Sequence, residues 1–188
     1  MFKQLFVLAA ILVSFCASAG AEERSAFGFE FTSIDGKPLP LNQFEGRVLL
    51  VVNTASFCGY TPQYQGLEEL YSRYQTQGLT VIGVPANDFG QQEPKKEAEI
   101  KKFCQGAFGV TFPLTSKQVV AGDGAHPFYR WAATTLGKEN VPAWNFHKYL
   151  VARDGHLIGS FRSEVTPDST ELRGAIERAL SDKMTAAK

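Results

Sequence analysis

Two cysteines in this chain sit where a thiol could react. Cys58 lies in Asn53-Thr54-Ala55-Ser56-Phe57-Cys58-Gly59-Tyr60-Thr61-Pro62-Gln63, between an apolar run, Val48-Leu49-Leu50-Val51-Val52, and a helix start at Thr61-Pro62. The run reads as a buried strand. Thr is a good helix cap, and Pro is favoured at the first helical position. The positive end of a helix and its unpaired N–H groups stabilise a thiolate, the reactive form of cysteine. Thr61 stands where a C-x-x-C dithiol would carry its second cysteine. Exchange through an adjacent pair is therefore disfavoured, and a lone reactive thiolate is favoured. Cys104, in Glu99-Ile100-Lys101-Lys102-Phe103-Cys104, is a second thiol far along the chain. From its residues alone, it either reacts or packs on the apolar face of a short helix.

Other chemistries have little support. His126, His147 and His156 are scattered without metal-ligand spacing, so no metal is expected. His126 before Pro127 reads as a helix-entry residue. The chain has no phosphate loop, dinucleotide fingerprint or Gly-x-Ser-x-Gly elbow, and no cofactor is expected. Nineteen basic and nineteen acidic residues cancel, which argues against nucleic acid or an anionic membrane surface as partner.

The elements that must position the thiols follow from pattern. The 188 residues, 44% hydrophobic and 20% charged, suit one domain with a substantial core. Residues 1–21 read as a cleaved secretory signal peptide. Lys3 supplies a basic start, Leu5 to Cys16 an apolar core too short to span a bilayer easily, and Ala17-Ser18-Ala19 or Ala19-Gly20-Ala21 a small-residue cleavage site. The rival reading, a lipoprotein signal acylated at Cys16, is disfavoured by the bulky Phe15. Cleavage removes Cys16 and leaves Cys58 and Cys104 in a compartment that permits disulfides, expected to be the bacterial periplasm. Residues 22–188 are expected to form a single domain.

Within that domain, Phe27–Thr32 and Lys37–Leu41 flank Asp35-Gly36 as an N-terminal hairpin. Strands are expected at 48–52 and 79–84, with a helix from about Pro62 to Gln75 between them and Gly78 as its stop. That helix should bury Tyr64, Leu67, Tyr71 and Tyr74. A loop over 85–94 leads to a charged helix over 95–104, and His126-Pro127 opens another running to Leu136. Phe146–Val151 and Leu157–Phe161 flank Asp154-Gly155 as a second hairpin. A last helix is expected to be capped by Asp168 and Glu171, with a frayed tail after Ser181. A β-α-β unit with a closing hairpin gives a central mixed sheet flanked by helices. With Cys58 at the first strand-to-helix turn, this reads as a thioredoxin-like α/β fold.

Three segments carry a resemblance: Asn53 to Tyr64; Asn87-Asp88-Phe89-Gly90-Gln91-Gln92-Glu93-Pro94; and Trp144-Asn145-Phe146-His147-Lys148. In order and spacing they resemble the glutathione peroxidase family, over about Phe27 to Leu180. The resemblance implies a hydroperoxide reductase with Cys58 as the peroxidatic residue, oxidised to a sulfenic acid by hydrogen peroxide or by organic and lipid hydroperoxides. It implies Gln92, Trp144 and Asn145 as partners, each an uncharged N–H donor able to stabilise a thiolate. Gln91 is a competing amide; spacing to Glu93-Pro94 favours Gln92. In family members that use two cysteines, the resolving residue lies in the Cys104 segment. Cys104 would then close an intramolecular disulfide with Cys58, reduced by a thioredoxin-like protein or, alternatively, by glutathione. A disulfide needs Cα atoms roughly 4.4–6.8 Å apart, so a greater separation would require the Cys104 helix to unravel locally.

The chain departs from the family pattern in places. Ala86-Asn87-Asp88 replaces the usual Cys-Asn-Gln, Lys95 replaces a usual Gly, and His147 occupies a variable position. The short connection from Leu136 to Trp144 resembles the monomeric, thioredoxin-using branch. An antioxidant peroxidase without stable membrane insertion is therefore expected. The alternatives are a peroxide sensor or redox relay that passes oxidation to a partner protein, and an accessory protein that keeps the fold without using the thiol.

Overall fold

The computed structural model describes residues 25–182. The expected signal segment 1–21 lies outside the described residues, as do residues 183–188 of the tail.

The N-terminal hairpin pairs β1 (Glu30–Thr32) with β2 (Pro38–Pro40) antiparallel around Gly36, whose φ of 77° suits glycine. The central sheet has the order β4-β3-β5-β6. β3 (Val48–Thr54) and β4 (Leu79–Pro85) run parallel, Val48 opposite Leu79 and Thr54 opposite Pro85. β5 (Lys148–Val151) lies antiparallel to β3, and β6 (Leu157–Phe161) antiparallel to β5. The sheet is therefore mixed, and the architecture is the thioredoxin-like one.

β3 and β4 are buried along their whole length, as expected for parallel strands covered on both faces. Their residues alternate between two cores. Val48, Leu50 and Val52 join Val81 and Leu150 beneath the helices α1 (Gln63–Tyr74), α2 (Glu97–Phe108) and α4 (Thr170–Ser181). Leu49 and Val51 join Ile82, Val84 and Tyr149 beneath α3 (Pro127–Leu136) and the N-terminal hairpin. The free edge of β4 is covered by the chain that follows α2, through Gly83 N–H to Pro113 O and Thr115 N–H to Gly83 O, each 2.9 Å. That contact needs glycine: a Cβ on Gly83 would stand 2.6 Å from Leu114.

Several boundaries differ from the sequence expectation. Thr61 does not cap α1. Its hydroxyl donates to Ala55 O at 2.9 Å and accepts from Cys58 N–H at 3.0 Å, so it folds the Cys58 loop while Pro62 occupies the cap position. On α1, Leu70 is fully on the buried face while Tyr71 is only half-buried. α2 begins two residues later than expected and runs on to Phe108, where Gly109 ends it in the left-handed conformation. β5 begins at Lys148 rather than Phe146, because Phe146 has a φ of 66° and breaks the extended run. His126 is the helix-entry residue expected, its side chain accepting from Phe128 N–H.

The cap of α4 is Ser169, whose hydroxyl accepts from Leu172 N–H at 3.2 Å. Asp168 instead accepts from the Thr166 hydroxyl at 2.5 Å. Replacing Ser169 by Ala should therefore cost about 1 kcal/mol of stability in denaturant unfolding, and Asp168→Ala clearly less.

Candidate active site

The C-terminal end of β3 carries Cys58 out of the sheet. Cys58 is 7% exposed and forms no disulfide, and the loop around it is fixed by Thr61. The N–H groups of Gln63, Tyr64 and Gln65 are engaged by the carbonyls of Tyr60, Thr61 and Pro62. The first turn of α1 therefore does not offer them to sulfur. The donor lies before the helix instead: Tyr60 N–H points at Cys58 Sγ, at 3.4 Å.

Two further segments meet this loop. Phe57 N–H donates to Gln92 O at 3.1 Å, which seats the 87–94 loop beside the residue preceding Cys58. Asn145 Nδ2 donates to Gln92 Oε1 at 3.0 Å and lies 3.4 Å from Phe89 O, so the third segment is tied to the second. The Trp144 and Phe89 rings are 6.0 Å apart between centroids. Gly90 passes beside both the Trp144 ring and the Gln92 side chain, where a Cβ would be in ordinary contact at 3.5 Å, and its φ of 64° is what favours glycine there. Gln92, Trp144 and Asn145 are thus brought together beside the Cys58 loop. Trp144 is 40% exposed, while Asn145 is buried. Gln91 is exposed at φ 53° and makes no such contact, so Gln92 is the amide in the cluster.

Behind the loop lies a buried polar group that sequence reasoning did not single out. Ser56 Oγ donates to Glu93 Oε2 at 2.9 Å, and Asn87 Oδ1 accepts from Glu93 N–H at 2.8 Å. Burial raises the Glu93 carboxyl above its ordinary range, against Ser56 and the charges of Lys117 and Lys95. Cys104 is fully buried on α2 and unbonded. Burial pushes its thiol up to about 11, with the Tyr64 hydroxyl and Lys95 opposing and Glu93 adding to the shift.

Asn53 and Lys148 hold the third segment. Asn53 Nδ2 donates to Trp144 O at 3.1 Å, Asn53 O accepts from Phe146 N–H at 2.6 Å, and Asn53 N–H donates to His147 O at 3.2 Å. The Lys148 ammonium is fully buried and donates to Gln63 Oε1, Phe146 O and Val165 O at 2.7, 2.8 and 2.7 Å. Both residues had a signal in the sequence: a polar side chain closing an apolar strand, and a charge opening one. Burial brings Lys148 down to about 7. Among the described residues, no group of histidines, cysteines and carboxylates is arranged to hold a metal, and no helix is long and apolar enough to cross a membrane.

The family profile described as glutathione peroxidase matches residues 26–133. The chain belongs to the glutathione peroxidase family. It is 47% identical over 162 residues to the hydroperoxy fatty acid reductase gpx1 of Synechocystis, covering 82% of this chain and 95% of that protein. It is 46% identical over 140 residues to the glutathione peroxidase-like peroxiredoxin gpx1 of Schizosaccharomyces pombe, covering 73% and 88%. The crystal structure of T. cruzi GPX1 superposes with a TM-score of 0.68 at 30% identity, covering 84% of this chain and 97% of that one. This glutathione peroxidase-like protein is a hydroperoxide reductase of the thiol type.

The site's last strand segment also carries a pH dependence. Burial and the adjacent Lys148 charge lower His147 from 6.5 to about 4. Between these values the unfolded chain binds more protons than the folded one, so stability falls as pH drops through that window. Unfolding midpoints at pH 7 and pH 4 should show a loss of about 2–3 kcal/mol assignable to His147, and His147→Phe should remove it.

Proposed function

We propose that Cys58 is the peroxidatic nucleophile, with Gln92, Trp144 and Asn145 as its neutral donors and Cys104 as its resolving partner. The observation that carries this reading is the meeting of three distant segments at the Cys58 loop, through Phe57 N–H to Gln92 O and Asn145 Nδ2 to Gln92 Oε1. The Cys58 thiolate attacks the terminal oxygen of a hydroperoxide. The O–O bond breaks, water or an alcohol leaves, and Cys58 becomes a sulfenic acid. N–H donors around the sulfur stabilise the thiolate and hold the departing oxygen. The Cys104 thiolate then attacks the Cys58 sulfur. An S–S bond forms, the S–O bond breaks, and hydroxide leaves and is protonated to water. A thioredoxin-like dithiol supplies the two electrons that restore both thiols, and glutathione is the competing donor. The peroxiredoxin name of the fission yeast relative agrees with a protein dithiol as reductant.

The reading extends to location and state. Residues 1–21 act as a signal that directs a single domain, 22–188, to the periplasm, where it works as a monomer. The apolar core from Leu5 to Cys16 and the small residues after it support export. The short connection from Leu136 to Trp144 supports the monomer.

A peroxidase assay comparing a thioredoxin system with glutathione tests the chemistry. Cys58→Ser should reduce turnover with either donor to the uncatalysed level, and turnover surviving in that variant would refute the nucleophile. Cys104→Ser should abolish thioredoxin-driven turnover yet still consume one equivalent of peroxide. Full thioredoxin-driven turnover in that variant would remove the resolving role.

A further inference from the structure

Lys95 lies between the two thiol-bearing segments. Its Nζ is 4.7 Å from the centroid of the Phe57 ring and 4.4 Å from that of Phe103. Both distances are within the range in which a cation is drawn to an aromatic face. Phe57 precedes Cys58, and Phe103 precedes Cys104. One ammonium therefore bridges the immediate neighbours of both cysteines. Its root is held as well: Lys117 Nζ donates to Lys95 O at 2.8 Å and to Glu93 O at 2.9 Å. Phe57 is 58% exposed, so the bridge sits at the surface.

We propose that Lys95 is a positioning residue for disulfide formation: its ammonium, bridging Phe57 and Phe103, keeps a positive charge beside Cys104 as that thiol attacks Cys58. The inference rests on the assignment of Cys104 as the resolving residue.

The chemistry explains why a charge is needed there. The attacking species is a thiolate, and burial disfavours it at Cys104. The titratable and charged groups that face Cys104 are Tyr64 from α1, and Glu93 and Lys95 from the loop preceding α2. Of the two charges, Glu93 opposes ionisation and Lys95 favours it. Attack joins the two sulfurs, breaks the S–O bond of the sulfenic acid, and releases hydroxide, which takes up a proton to leave as water. The hydroperoxide has already supplied the oxidising equivalents, so no further oxidant is required. Without the Lys95 side chain, only the carboxylate of these two charges would face the thiol.

Reduced protein is mixed with one equivalent of hydrogen peroxide, quenched with acid over time, and analysed by mass spectrometry for sulfenic acid and for the Cys58–Cys104 disulfide, between pH 5 and 9. Lys95→Met retains a long side chain against the two rings and removes the charge; Lys95→Arg retains the charge. Relative to the oxidation phase, disulfide formation at pH 7 should slow about tenfold in Lys95→Met, with its pH profile displaced upward by about one unit. Lys95→Arg should restore it to within about twofold. A disulfide phase in Lys95→Met that matches the parent at every pH would overturn the role of Lys95 and leave Cys104 as resolver. Equal slowing in both variants would overturn the role of the charge. If the parent protein forms no Cys58–Cys104 disulfide at all, the resolving assignment itself falls, and this inference with it.

Discussion

Everything at this site depends on the hydrogen bonds that Asn53 makes across to residues 144–147. Asn53 ends the apolar part of the central strand and leads directly into the Cys58 loop. Its side-chain and backbone groups together hold Trp144 O, Phe146 N–H and His147 O. β3 and β5 are antiparallel neighbours, so the chain entering β5 passes beside the chain leaving β3. Asn53 turns that proximity into a fixed register. Because Asn145 is bonded in turn to Gln92, the same register reaches the 87–94 loop after β4. Three loops from three adjacent strands are thereby fixed against one another without an ion pair.

The register has a local cost. Phe146 is a non-glycine residue at φ 66°, a conformation costing on the order of 1 kcal/mol or more. The surrounding contacts explain why it persists. The Phe146 ring is fully buried and packs edge-on against Tyr64, 5.4 Å between centroids. Its carbonyl accepts from Lys148, and its N–H is taken by Asn53. Lys148 also reaches Gln63 in the first turn of α1, and so links the Trp144 segment to the helix that follows the Cys58 loop. A buried ammonium is expensive, and here three oxygen acceptors from three parts of the chain offset that cost. The reversed backbone also separates neighbouring side chains, with Trp144 exposed, Asn145 turned to Gln92 and Phe146 in the core.

Much of the architecture was readable because the strands announce themselves. Val48 to Val52 and Leu79 to Val84 are continuous apolar runs, and the Asp-Gly turns at 35–36 and 154–155 mark both hairpins. The cluster of Gln92, Trp144 and Asn145 beside Cys58 was legible only through the order of three motifs, since no local pattern distinguishes these residues from a loop amide or a core aromatic. What escaped the sequence were choices between equally plausible neighbours. Ser169 and Asp168 can each cap a helix, and the backbone decided for Ser169 by turning Asp168 toward Thr166. Thr61 looks like a cap, yet its hydroxyl is worth more inside the Cys58 loop, where it satisfies Cys58 N–H and Ala55 O. The roles of Asn53, Glu93 and Lys148 are long-range, and no periodicity carries information about partners so far away in the chain.

The donor set proposed for Cys58, the side chains of Gln92, Trp144 and Asn145, carries no net charge, nor does the Tyr60 N–H that points at its sulfur, and the formal charges of the chain also cancel. Dissolved ions screen charges over about 10 Å at 0.1 M, but they do little to a dipole in contact with its target. Ionic strength therefore separates the two halves of the chemistry. With the proposed roles, encounter with a neutral peroxide at Cys58 would depend little on salt, whereas a step that leans on the partly exposed Lys95 would weaken as salt is added. In the proposed cycle, the composition of the surrounding solution, rather than the supply of peroxide, then sets how long oxidised Cys58 persists before Cys104 reaches it.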